Sequence, residues 1–410
     1  MRGTGVFVAS VAILSSVATT NTSTALSYTD YVTGKPHPGV HSSGGATGPR
    51  LSDVRAGSER WRSAVAGGSE AWQVVPGLSY SRTTLLEPQG AVQVHVLTAT
   101  WNERGLSVDQ VSGSTVASRS SLSGWLAADR DVAGVNADFF DITDTGAPLG
   151  VGVDRERKLL HAPRSGWNNT FFIDSTGAPR IGQVSLAARV VRNGKTAVRL
   201  RGFNLPHVAR DSINVYTGAW GRTAGSQVVD GASRVRQVHV RNHVVRSNRA
   251  EVTSGAVITG KILVGRGRGA IALRGLKVGQ RVSVVAGLSS PAIRVAVSGS
   301  AQLVRNGQVI TVDNGELHPR TAIGIDRDKH LLHVLVADGR SESSGGLTLL
   351  QLGDYMDSLG DEDVLNLDGG GSSTMVAPDA DGVSGVRNTP SDGHERLIAN
   401  GLAFRYTALG

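Results

Sequence analysis

The sequence predicts an α+β protein built of mixed and antiparallel sheets with few helices, and three observations lead there. Glycine is abundant, 53 of 410 residues, while aromatic residues make up only 5%. That pairing suits the bends and close backbone approaches of a strand-and-turn protein better than a helical bundle. Short Val/Ile runs broken by Gly and Asn recur from 176 to 300, which reads as a strand-rich middle segment inserted in the main unit. Towards the C-terminus a strand, a helix and a second strand follow in order over residues 331–367, so the core is not a pure sandwich.

The elements follow in chain order. Arg2, the apolar run Val6 to Ala18, a polar Thr/Ser/Asn stretch and the small-x-small Ser23-Thr24-Ala25 form an expected signal peptide over 1–25, with Ala18 as an alternative cut. A secreted, extracellular protein with no stable membrane insertion after cleavage follows from this reading. Residues 26–73, rich in Gly, Ser, Thr and Pro, read as a flexible leader. Periodic structure begins near Val74, and residues 74–410 are expected to form one catalytic unit that includes the 176–300 segment. Val92, Val94 and Val96 alternate with Gln93, His95 and Leu97 as a half-buried strand. Ser121 to Asp129 reads as a short helix capped by Ser121 or Ser123. Val132 to Val135 is a short apolar strand that runs directly into Asn136-Ala137-Asp138-Phe139-Phe140-Asp141.

Gly152 to His161 and Gly324 to His333 resemble one another. Each has apolar residues, a polar stretch able to turn, and apolar residues again. Both read as β-hairpins with charged tips, related either by shared turn chemistry or by a true repeat. Leu331 to Val336 is a strand, and Thr348 caps a helix that places Leu349, Leu352, Met356 and Leu359 on one face.

Formal charge is +8 and the isoelectric point is near 10.1, which suits contact with an anionic polymer. Eleven Lys/Arg residues and one acid lie between Arg234 and Arg281. They read as the outer face of a sheet or as a surface for a polyanion. No aromatic ladder interleaves with them, so nucleic acid is not an expected partner. Cysteine is absent, which excludes disulfides, thiolate metal sites and cysteine nucleophiles. There is no HExxH cluster and no Gly-x-Ser-x-Gly elbow, so zinc-hydrolase and serine-esterase readings have no footing.

The candidate site residues fall where strands end. Asp368 closes a buried strand and precedes Gly369, Gly370, Gly371, Ser372 and Ser373. Glycines let a ligand approach the backbone, and serines with exposed amides can bind phosphate oxygens. Asp338 and Arg340 follow the next strand, and Arg320 is a candidate second phosphate clamp. Asn136 and Asp138 form a third group, in which burial would raise the Asp138 pKa and suit it to acid catalysis. Asp141 and Asp144 add acids nearby, so a hard divalent cation, calcium or magnesium, is a candidate cofactor with no assigned ligand set. Asn388, Asp392, His394, Glu395 and Arg396 lie in a polar loop before the strand-like Leu402 to Tyr406. Each group also has a structural reading, as a tight turn, a turn salt bridge or core packing.

Taken in order, Pro319-Arg320-Thr321-Ala322-Ile323-Gly324, Asp338-Gly339-Arg340, Ser344 to Leu349 and Asn366 to Met375 resemble the phosphodiester glycosidase family. Asn136 to Phe140 with Gly146 to Gly150 resembles its first block, although many members have glycine where Ala137 and Asp138 stand. Asn388 and Glu395-Arg396 fit its closing block. The resemblance implies hydrolysis of the glycosidic C–O bond of a sugar-1-phosphodiester, releasing the sugar and leaving a phosphomonoester. It places Asp368, Asp138 and Asp338 as catalytic candidates. Arg320, Arg340, Asn136, Gly369 to Ser373, Asn388, Glu395 and Arg396 would bind substrate or phosphate. The expected partner is a phosphorylated glycan, a teichoic-acid-like polymer or an exopolysaccharide. Two alternatives stand beside it: a non-enzymatic cell-wall glycan-binding protein, and a metal-dependent phosphodiesterase that cleaves P–O.

Overall fold

The structure, a computed structural model, describes residues 41–42, 50–51, 64–65, 69–290, 292–311 and 315–409. The expected signal peptide and most of the leader lie outside the described residues. Strand structure is continuous from Glu70, four residues ahead of the expected start at Val74.

Antiparallel sheets dominate, as the glycine and β-branched pattern predicts. The largest sheet runs in the order 64–65, 78–87, 90–100, 331–337, 320–326, 363–366, 301–305 and 308–309, with 70–75 added beside 78–87. A five-stranded sheet takes the order 384–386, 375–378, 133–136, 400–406 and 106–112. Another is ordered 179–183, 169–174, 293–298, 152–154 and 158–161. Their inner faces share one core, in which Leu97, Val135, Phe171, Val297, Ile323, Leu365 and Phe404 are buried. Alternation along each strand supplies this face. The shared core fixes the ends of 133–136, 320–326 and 363–366 against one another, and that is where the candidate site residues stand.

The inserted strand-rich segment is narrower than the 176–300 read from the sequence. Pro179–Gln183 and Ile293–Ser298 both pair with Asn169–Asp174, so they belong to the surrounding sheet. Only Leu186 to Leu288 build separate sheets, around a core that includes Val190, Phe203, Val215, Leu263 and Leu273. Within it the basic stretch is mostly strand, but Arg268–Leu273 is a short helix that the sequence reading did not foresee. Arg234, Arg241, Arg246, Arg249, Arg268, Arg274, Lys277 and Arg281 are exposed, as a solvated outer face requires.

Among the described residues, the two other α-helices match their sequence signals. Leu122–Asp129 is capped by the Ser121 hydroxyl, which accepts from the Gly124 amide at 3.2 Å. Leu349–Ser358 starts with a reciprocal capping box between Thr348 and Gln351 and buries Leu349, Leu352 and Met356. Among the described residues no helix is long and apolar enough to cross a membrane.

Both expected hairpins form, 152–154 with 158–161 and 320–326 with 331–337. Their likeness extends to detail. Gly152 pairs with His161 and Gly324 with His333. Asp154 accepts from the Arg157 amide and pairs with its side chain, and Asp326 does the same with Lys329. Lys158 and His330, at matching positions, are both left-handed.

Candidate active site

Asp368 stands where Asp363–Asn366 ends, held on both sides by neighbouring strands. Its amide donates to the Ala137 carbonyl at 2.8 Å, and its own carbonyl accepts from Asn136 Nδ2 at 2.6 Å. Asn136 Oδ1 accepts from Thr321 Oγ1 (2.9 Å) and from the Thr374 amide (3.0 Å). Asn136 is thus a buried bracket that ties three segments to the Asp368 loop. Asn388 performs the same service further on, accepting from the Met375 amide and donating to the Ser373 carbonyl.

The glycines after Asp368 form a tight 3-10 turn over Gly370–Ser372, with Gly370 at φ 61°. The Gly370 amide donates to the Pro319 carbonyl at 2.9 Å. A Cβ at position 371 would collide with the Arg396 guanidinium and the Asp392 carboxylate. Glycine is needed here because side chains from the closing loop lie directly on the turn.

Asp138 lies beside this loop and is 2% exposed. Its Oδ1 accepts from the Ser298 amide at 2.6 Å, and its own amide donates to Asn400 Oδ1 at 2.9 Å. Burial pushes its carboxyl well above the ordinary range; the Ser298 and Asn400 hydrogen bonds oppose this, and the negative charge of Asp368 adds to it. Asp138 thus favours its acid form, and Asp368 is close enough for its charge to contribute.

Three arginines surround the turn. Arg340, left-handed at φ 58°, places its guanidinium beside Gly370 and donates through Nη2 to His318 Nδ1 at 2.9 Å. Burial lowers its pKa, the charges of Arg396 and Arg320 lower it further, and Asp392 opposes them. Arg396 pairs with Asp392 at 2.7 Å and donates to the Ser372 hydroxyl (3.4 Å) and to the Ser42 carbonyl (2.7 Å). Arg320 is buried and donates to the carbonyls of Leu347 and Glu316, both at 2.9 Å. His318 is held neutral, its pKa pushed down to about 4 by burial and by Arg320 and Arg340. The cluster is electropositive and faces a turn of small residues, an arrangement suited to a phosphate group.

Two residues of the expected set stand elsewhere. Asp338 points away from Arg340: it accepts from the Thr389 amide at 2.9 Å and lies 3.5 Å from His95, which contacts the Tyr80 hydroxyl. Glu395 accepts from the Ser123 amide at 3.0 Å, at the start of the Leu122–Asp129 helix. Phe139 packs against Trp167 and His41. Among residues absent from the expected set, His161, Ser298, His318 and Asn400 touch Asp138 or Arg340. Only His161 had a signal in the sequence, its place in the matched hairpins.

The candidate cation ligands also gather. His207 Nε2 lies 3.2 Å from Asp141 Oδ2 and 3.8 Å from Asp144 Oδ2, while Nδ1 is 2.7 Å from Asp230. The three residues Asp141, Asp144 and His207 could hold a metal ion. An imidazole donor suits zinc or manganese better than the calcium or magnesium expected from the carboxylates alone. Burial opposes a charged His207 ring, but the hydrogen bond and charge of Asp141, with Asp230 and Asp144, outweigh it and raise its pKa. Arg266 pairs with Asp230 as well, so His207 and Arg266 face three carboxylates.

Comparison with known proteins supports the resemblance carried by these motifs. Residues 234–405 match the family model of the phosphodiester glycosidases, and the match supports a hydrolase of that family. Asn136 and Asp138 fall outside the matched span. Among solved structures, a hypothetical protein from Synechocystis aligns with TM-score 0.71 at 18% identity over 83% of this chain. This chain spans 64% of that protein's length. A Burkholderia pseudomallei protein, named as a candidate exported protein, aligns with TM-score 0.68 at 17% identity, over 85% of this chain and all of that one. The zebrafish N-acetylglucosamine-1-phosphodiester alpha-N-acetylglucosaminidase catalytic domain, auto-inhibited by its pro-peptide, aligns with TM-score 0.40 at 16% identity, over 83% of this chain and 88% of that one. No curated protein matches the chain.

Proposed function

We propose, from the phosphodiester glycosidase match over residues 234–405, that this chain is a secreted hydrolase cleaving the glycosidic C–O bond of a sugar-1-phosphodiester. The catalytic unit would span 74–410, and the substrate would be a phosphorylated glycan of the teichoic-acid or exopolysaccharide kind. One observation carries the reading: two buried acids, Asp138 and Asp368, adjoin a glycine turn overlaid by Arg340 and Arg396.

The roles follow from the environments. Arg340 and Arg396 hold the phosphodiester over the Gly369–Ser373 turn and stabilise the charge that develops as it leaves. The C1–O bond breaks with its electron pair departing on the phosphate oxygen, and Asp138 supplies a proton to that oxygen. Asp368 accepts a proton from water as the water oxygen bonds to C1. Asn136, Asn388 and Arg320 act by holding the turn and its flanking strands. Asp338, engaged with Thr389 and His95, acts as a brace rather than as a reacting group.

Hydrolysis in oxygen-18 water tests this reading. Label in the released sugar, with none in the phosphomonoester, is the expected result. Label in phosphate would instead favour a metal-dependent phosphodiesterase working through Asp141, Asp144 and His207. Tight binding without release of sugar would favour a non-enzymatic glycan-binding protein.

A further inference from the structure

Behind Asp138 stands a group that the functional reading does not use. His161 is 1% exposed. Its Nδ1 lies 2.9 Å from the Gly150 carbonyl, an acceptor only, so Nδ1 carries the ring proton and Nε2 presents a lone pair. That lone pair faces Asp138 Oδ2 across 3.9 Å. Both atoms are buried and neither lies within hydrogen-bond distance of a partner; the carboxyl is otherwise held by the Ser298 amide and the Asn400 side chain. A buried polar atom without a partner is costly, and here two such atoms face one another.

The backbone is shaped to allow this. Gly152 is the cross-strand partner of His161, and a Cβ there would collide with the imidazole. A Cβ at Gly150 would collide with Ser298, whose amide holds the other Asp138 oxygen, and would lie 3.3 Å from Asp138 Oδ2. Two glycines therefore open the space in which ring and carboxyl meet. His161 also lines a cavity of about 270 Å³, together with Gln110, Ser112, Thr115 and Gly218.

We propose that His161 is a positioning residue for Asp138: in the resting protein the Asp138 Oδ2 proton lies towards the Nε2 lone pair, which favours the acid form until the leaving phosphate oxygen takes that proton. A carboxylate facing the lone pair would be repelled, whereas a carboxylic acid is bound. The titratable groups that face Asp138 are Asp368 and His161, and both favour the protonated state. Burial holds the imidazole neutral, its pKa pushed down to about 4, so the ring stays an acceptor wherever Asp138 keeps its proton. The inference rests on Asp138 as the proton donor of the proposed hydrolysis.

Two measurements test it, and the first needs no activity. In full-length protein carrying nitrogen-15 histidine, His161 should be the Nδ1–H tautomer with the Nε2 resonance of a hydrogen-bonded acceptor. In Asp138→Ala that resonance should move to the value of an unbonded lone pair. An Nε2–H tautomer in the native protein, or no change in the variant, would overturn the proposal. The second uses His161→Gly, which joins the vacated ring space to the adjacent cavity. With a sugar-1-phosphodiester, kcat should fall roughly 10- to 100-fold with KM little changed, a fraction of the scale of general acid catalysis. Added imidazole should restore kcat, and pyrrole, the same shape without an acceptor nitrogen, should not. Equal rescue by both, or an unchanged kcat, would show a ring that only fills space. If the native protein hydrolyses no such diester, the functional reading fails, and the resonance measurement still decides the pairing.

Discussion

Asp138 and Asp368 come from strands far apart in sequence, and they are coupled through one backbone contact, the Asp368 amide on the carbonyl of Ala137. The charge of Asp368 reaches Asp138 and helps to keep it protonated. Asp368→Asn should therefore lower kcat at least roughly 100-fold, the scale of a positioned base, while a melting curve shows the fold intact. Near-full activity in a folded variant would remove Asp368 from the mechanism.

The arginines divide by what they touch. Arg340 and Arg396 lie on the glycine turn, so alanine at either should raise KM for a sugar-1-phosphodiester roughly 10- to 100-fold, about 1.5–3 kcal/mol of charge-assisted hydrogen bonding. Arg320 donates to the Leu347 and Glu316 carbonyls. Arg320→Ala should appear first as a lower denaturation midpoint. A pure KM effect with unchanged stability would place Arg320 in the binding set instead.

Asn136→Ala strips partners from the Asp368 carbonyl, the Thr321 hydroxyl and the Thr374 amide together. A loss of about 3 kcal/mol is expected from buried groups left unpaired, and equilibrium unfolding in urea measures it. Asn136→Asp keeps the shape and the acceptor but loses the donor to Asp368, so its loss should be of comparable size.

Much of this was legible in the sequence. Asp368, the glycines and Arg340 stand at strand ends whose apolar runs are plain, and Thr348 and Ser121 announce their helices by capping chemistry. What escaped depended on tertiary placement. Glu395 is adjacent to Arg396 in sequence, yet its carboxylate reaches the Ser123 amide, because successive side chains of the loop point in different directions. Asp338 likewise turns from Arg340 towards Thr389 and His95. Ser298 and Asn400 reach Asp138 through long-range pairing, for which a local pattern carries no sign. The edges of the insert were read too wide because composition does not reveal which strands pair with Asn169–Asp174.

Acid stability offers a further check. His161 titrates near 6.5 in an unfolded chain and at about 4 in the fold, so the unfolded chain binds more protons between those values. Its contribution is complete above pH 6.5 and is lost as the pH falls to about 4, a change of roughly 3 kcal/mol. His161→Phe should flatten this part of the stability–pH curve. Parallel curves for native protein and variant would contradict the assignment.

Asp361 behaves in the opposite sense. Burial raises its pKa from 3.8 to about 6 against the hydrogen bond and charge of His333. The fold then favours the protonated acid, and a penalty grows as the pH rises from about 4 and is complete above 6. Asp361→Asn should be more stable than the native protein at pH 7, by about 2–3 kcal/mol, with no advantage below pH 4. Calorimetry at the two pH values reads the difference.

The insert leaves and rejoins the sheet on either side of one strand, Asn169–Asp174, so its ends form a natural cassette. Residues 186–288 could be exchanged for another module without rerouting the surrounding chain. That freedom is limited by the core shared with the surrounding chain, where Val208, Tyr216 and Trp220 pack with Val116, Ala147 and Leu160. His207 on Asp141 limits it too, as does Ser298, the last residue of the rejoining strand, whose amide grips Asp138. A graft that shifted this strand by one residue would place a different amide against the acid and alter the chemistry from a join far outside the arginine cluster.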